Sequence, residues 1–106
     1  MGSGRNPFTD RIIDIIRRVP EGKVATYGQI AAYAGNRGAA RQVSWVLHSS
    51  SEKENLPWHR IVNSSGRISL KPQRGYELQK SLLLAEGVLF DELDRIDLER
   101  HRWNLS

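Results

Sequence analysis

The chain reads as a mainly α protein, a helix-turn-helix, winged-helix-like domain carrying a small β-hairpin wing. Three observations predict this. An apolar stripe of helical period opens the chain, two short helical segments then surround a glycine-containing turn, and two short apolar segments flank a second glycine turn. A length of 106 residues suits a single domain with one modest core.

Phe8, Ile12, Ile15, Ile16 and Val19 recur at i, i+4, i+7, i+8 and i+11, the stripe of an amphipathic first helix. Asn6 and Pro7 supply its N-cap and first helical residue, while Pro20 and Gly22 stop it. Thr26-Tyr27-Gly28-Gln29 matches a capping box, in which the first and fourth residues satisfy each other's backbone donors. It opens a second helix over residues 27 to about 34, closed by Gly35. Asn36-Arg37-Gly38 is a turn, and a third helix follows over about 39–49, with Trp45 expected in the core or against a neighbouring helix. On pattern alone this pair fits an ordinary αα-hairpin better than a helix-turn-helix.

Residues 50–55 read as a polar loop. Ile61-Val62-Asn63 and Ile68-Ser69-Leu70 flank Ser64-Ser65-Gly66-Arg67, which predicts a hairpin, and after a helix-turn-helix such a hairpin is a wing. A fourth helix is expected over about 75–85, carrying Leu78, Leu82 and Leu83. Val88-Leu89-Phe90 reads as a short extended piece, and nothing places the residues beyond it, Trp103 included. The organisation expected is therefore a flexible leader over 1–5, one domain over 6–90 and an acidic tail over 91–106.

Composition narrows the functions. The longest apolar run is five residues, 30–34, too short for a membrane span or a secretory core, so a cytoplasmic location is expected, nucleoid-associated in a bacterium or nuclear in a eukaryote. The sequence has no cysteine, which excludes disulfides, thiolate metal sites and thiol nucleophiles. Three scattered histidines form no metal-ligand spacing, and no Ser–His–Asp arrangement is evident, so no metal, cofactor or catalytic residue is expected. Residues 1–90 hold 13 Lys/Arg against 7 Asp/Glu, and the other five acidic residues lie within 91–99. A basic body suits a polyanionic partner, although charge alone fits a solvated surface equally well.

At Leu56-Pro57-Trp58-His59-Arg60-Ile61-Val62 the chain resembles the active-site segment of the O6-alkylguanine-DNA alkyltransferases, where Pro-Cys-His-Arg-Val carries the alkyl-accepting cysteine. Trp58 stands in the cysteine position, the mark of the alkyltransferase-like proteins of that family. The resemblance continues in order through Pro20-Glu21-Gly22-Lys23-Val24-Ala25-Thr26-Tyr27-Gly28, Ala40-Arg41-Gln42-Val43, Asn63-Ser64-Ser65-Gly66-Arg67 and Leu84-Ala85-Glu86-Gly87.

What the resemblance implies is a non-enzymatic sensor of DNA damage. Its partner is double-stranded DNA containing O6-alkylguanine, bound as a monomer through the minor groove, with the lesion flagged for nucleotide excision repair proteins. A base altered on its Watson–Crick edge must leave the stack to be inspected. In this reading Tyr27 rotates the nucleotide out and Arg41 is the finger that fills the gap. Trp58 and Lys71 line the lesion pocket, and Pro57, His59, Arg60 and Glu86 support the motif. Thr26, Gln29, Arg67 and Arg74 are weaker candidates for contacts to the DNA backbone. The alternative is a winged helix-turn-helix regulator without a lesion pocket, which has no need of Tyr27 and Arg41.

Overall fold

The computed structural model describes residues 6–105, so the expected leader over 1–5 lies outside the described residues. Helix α1, Pro7–Arg18, begins as its sequence dictates. The Asn6 side chain accepts a hydrogen bond from the Thr9 N–H, and Pro7 occupies the first turn. Its apolar stripe buries Ile12, Ile13, Ile15 and Ile16, each such side chain stabilising the fold by roughly 1.5–3 kcal/mol relative to exposure.

Strand β1, Ala25–Thr26, runs directly into α2, Tyr27–Tyr33, through the predicted capping box. Thr26 Oγ1 accepts from the Gln29 N–H, and Gln29 Oε1 accepts from the Thr26 N–H. The turn after α2 is closed by Asn36, whose carbonyl accepts from Ala39 and whose side chain accepts from the Gly38 N–H. Helix α3, Ala40–Ser50, follows and packs on α2 as the second half of the helix-turn-helix. Val43, Val46 and Ser50 form its buried face. The three helices, with Leu56 and Ile61, enclose the larger core.

Beyond α3, Trp58–Arg60 form a 3-10 turn that leads into strand β2, Ile61–Val62. The expected hairpin wing is not formed. Strand β2 pairs instead with β1, in parallel, with Ala25 opposite Ile61 and Thr26 opposite Val62. Side-chain competition accounts for the difference. Asn63 Oδ1 accepts the Arg67 and Ser65 N–H groups and the Asn63 N–H donates to the Arg67 carbonyl, so the turn closes within 63–67 and no ladder extends to 68–70. Gly66, at a left-handed φ of 78°, holds the Ile96 N–H on its carbonyl at 2.8 Å, and a Cβ there would lie 2.5 Å from the Ile96 carbonyl.

Helix α4, Tyr76–Ala85, and the short helix α5, Leu98–His101, complete the elements. Val24, Val62, Leu83, Val88 and Ile96 make a second, smaller core between them. The C-terminal segment that the sequence left unplaced is laced to β1 and α2. The Val24 N–H donates to the His101 carbonyl, the Trp103 N–H donates to the Val24 carbonyl, and the Trp103 ring meets Tyr33 edge-on. Among the described residues no helix is long and apolar enough to cross a membrane.

Candidate nucleic-acid interface

The β1–β2 ladder does the assembling. It ties the segment just before Tyr27 to the segment just after Trp58-His59-Arg60, so residues some thirty apart in sequence meet at one edge of α3. Tyr27, first residue of α2, is half-buried and rests one side on the larger core. Buried Gln79 of α4 fixes the 3-10 turn from below, because its amide nitrogen donates to the carbonyls of His59 and Ile61, both at 3.0 Å.

Glu86, at the end of α4, gathers the rest of the motif. Its carboxylate meets His59 Nε2 at 2.7 Å and accepts from Arg60 Nη2 at 2.7 Å, Arg60 Nε at 3.0 Å and the Gly22 N–H at 3.1 Å. Arg60 Nη1 also donates to the Val19 carbonyl, which anchors the clamp on the end of α1. The three side chains are 13–17% exposed. Burial by itself raises the Glu86 pKa, but the hydrogen bonds from Arg60, His59 and Gly22 outweigh it and lower the pKa to about 2. Pro57, His59, Arg60 and Glu86 are thus brought together, with His59 and Arg60 directed inward.

Trp58 is half-buried and turned the other way. It lines an open cavity of about 620 Å³ together with Tyr27, and with Ser44, Leu47 and His48 of α3. That volume lies within the roughly 300–1,000 Å³ of typical small-molecule sites. Arg41 stands exposed at the start of α3, on the face opposite the buried stripe.

Several expectations need correcting. Lys71 is exposed and is not part of the cavity wall. Arg74 lines it instead, because the loop before α4 turns at Lys71, whose carbonyl accepts from the Arg74 N–H. Gln29 is no backbone contact: it is 7% exposed, its oxygen serves the capping box and its nitrogen donates to the Trp103 carbonyl. Thr26 is half-buried in that same cap, whereas Arg67 is exposed. Trp45, expected in the core or against a neighbouring helix, is 64% exposed. The sequence reading missed Gln79, Ser44 and His48. Gln79 was readable only as a polar residue four before buried Leu83, a spacing that puts both on one helix face.

Comparison with known proteins supplies the family. The model of the family described as 6-O-methylguanine DNA methyltransferase, DNA binding domain, matches residues 7–88. The DNA base-flipping protein of Escherichia coli is 47% identical over 97 residues, covering 92% of this chain and 74% of that protein. Alkyltransferase-like protein 1 of Schizosaccharomyces pombe is 37% identical over 99 residues, covering 92% of this chain and 89% of that one. The crystal structure of S. pombe Atl1 in complex with damaged DNA containing O6-carboxymethylguanine superimposes with a TM-score of 0.79 at 35% identity, over 92% of this chain and 95% of that one. With a matching fold, a matching helix-turn-helix and Trp58 in the motif, the chain belongs to the 6-O-methylguanine DNA methyltransferase DNA-binding-domain family, as an alkyltransferase-like member.

Proposed function

We propose that the chain is a non-enzymatic sensor of O6-alkylguanine. In this reading α3 enters the minor groove of duplex DNA, Tyr27 rotates the damaged nucleotide outward and Arg41 takes its place in the stack. The flipped base enters the cavity beside Trp58, and the bent complex marks the lesion for nucleotide excision repair proteins. The observation that carries the reading is the open cavity between Tyr27 and Trp58, on the flank of the helix that bears Arg41.

Energetics favour it. Extruding a base costs a few kcal/mol, less where pairing is already damaged, and stacking on an aromatic face returns about 1–3 kcal/mol. Trp58 supplies that face, and Arg74 brings a cation to the cavity wall. Alkyl transfer needs a thiolate, which no residue of this sequence provides. His59 and Arg60 retain the task of holding the turn on Glu86.

Fluorescence anisotropy at one stated salt concentration tests the reading, on a duplex with a single O6-methylguanine and on its unmodified twin. At least tenfold tighter binding to the lesion, about 1.4 kcal/mol, is expected, with the adduct recovered intact by mass analysis. Equal binding to the two duplexes would favour a helix-turn-helix regulator, and loss of the adduct would make the protein an enzyme.

A further inference from the structure

We propose that Trp45 is a second DNA-contacting aromatic residue. Its indole lies on the outer face of α3, one turn beyond Arg41, and packs into the minor groove against sugars and base edges, irrespective of damage. The proposal rests on the binding mode given above.

The helix itself divides the two faces. Val43, Val46 and Ser50 are buried, whereas Arg41, Trp45 and His48 succeed one another at spacings of four and three residues on the exposed side. Trp45 is more exposed than any other large apolar side chain among the described residues, and it belongs to neither core cluster. Nothing in the fold requires an indole there. The His48 ring backs it at 6.3 Å with planes tilted by 32°, which limits its freedom before any partner arrives. His48 also forms part of the cavity wall, so the aromatic shelf is continuous with the cavity, while Trp45 stands outside it.

The surroundings of the indole favour nucleic acid as occupant. From residue 36 to residue 51 the chain carries Arg37 and Arg41 and no carboxylate, and in the adjoining cavity wall the one carboxylate, Glu52, is matched by Arg74. Apolar side chains that enter the minor groove wedge against base steps and open the groove, a contact blind to sequence and to lesion alike. Trp58 and Trp45 therefore divide the work: the cavity tryptophan sets preference for the alkylated base, and the helix tryptophan sets affinity for the duplex around it.

The test is Trp45→Ala, with Trp45→Phe beside it, in anisotropy titrations on the O6-methylguanine duplex and its unmodified twin, with the melting temperature and oligomeric state of each variant measured. Trp45→Ala is expected to weaken binding to both duplexes by a similar factor of about ten, with an unchanged melting temperature and partial retention of affinity in Trp45→Phe. Binding within twofold of the parent on both duplexes overturns the proposal, and so does a loss confined to the lesion duplex. A fall in melting temperature, or a change only in self-association, assigns the indole to the fold or to a second copy and overturns it too. The sensor reading fails separately: equal binding of the parent protein to both duplexes removes it, while a shared loss on Trp45→Ala still supports the contact.

Discussion

Trp58 and His59 are neighbours in the chain, yet they belong to regions of opposite character. His59 and Arg60 face inward onto Glu86, where hydrogen bonds from two side chains and a backbone N–H saturate one carboxylate. Trp58 lines an open cavity together with Tyr27 and with Ser44, Leu47 and His48 of α3. The inward region is polar, satisfied and mostly buried. The outward region is an open cavity with two half-buried aromatic rings and one charge of each sign, Arg74 and Glu52, in its wall. A polar group buried without a partner is expensive, so a closed network of this kind serves the fold. A half-buried indole on the wall of an open cavity keeps apolar surface in reach of a ligand.

The largest effect expected from breaking this contrast is on stability. Arg60→Ala leaves a mostly buried carboxylate short of its strongest donor and should lower unfolding free energy by about 3 kcal/mol, measured by denaturant titration at pH 7. Glu86 adds a pH signature. Its carboxyl is ionised in the folded protein down to about pH 2 but takes up a proton near pH 4.5 once unfolded. Its contribution is therefore complete above about pH 4.5 and is lost as the pH falls toward 2. The stability gap between the parent and Glu86→Gln should shrink across that window. A gap that holds constant down to pH 3 would deny the clamp its charge.

Next in size is the cavity. Trp58→Ala should reduce the preference for an O6-methylguanine duplex by about 1–3 kcal/mol while leaving affinity for undamaged DNA nearly unchanged, read by anisotropy. An equal loss on both duplexes would move Trp58 from the pocket to the general interface. The smallest effect is expected from Arg41→Ala. It should weaken lesion binding by somewhat more than the ~1 kcal/mol of an ordinary surface contact and leave the melting temperature unaltered. A lower melting temperature would make Arg41 part of the fold.

Legibility in the sequence followed locality. The N-cap at Asn6, the capping box at Thr26 and Gln29 and the stripe of α1 are signals complete within a few residues, and each is realised in the structure. The strand Ile61–Val62 forms where the sequence puts it, but its pairing is not legible because its partner, Ala25–Thr26, lies far upstream. Trp103 escaped for the same reason, since its anchors are Val24, Gln29 and Tyr33. In the site, Tyr27, Trp58, His59, Arg60 and Glu86 stand out only through the family resemblance, not through any local spacing. That resemblance could not tell Lys71 from Arg74, because the turn before α4 decides which basic side chain reaches the cavity. For Trp45 the local pattern carries the answer: it shares a helix face with Arg41 and His48, away from Val43 and Val46.

The most direct test of the central claim is a crystal structure of the protein on a duplex containing one O6-methylguanine. The account predicts an extrahelical alkylated base against Trp58, Tyr27 at the displaced phosphate and the Arg41 guanidinium in the vacated position of the stack. An alkylguanine still paired within the duplex, with the cavity beside Trp58 empty, would contradict it.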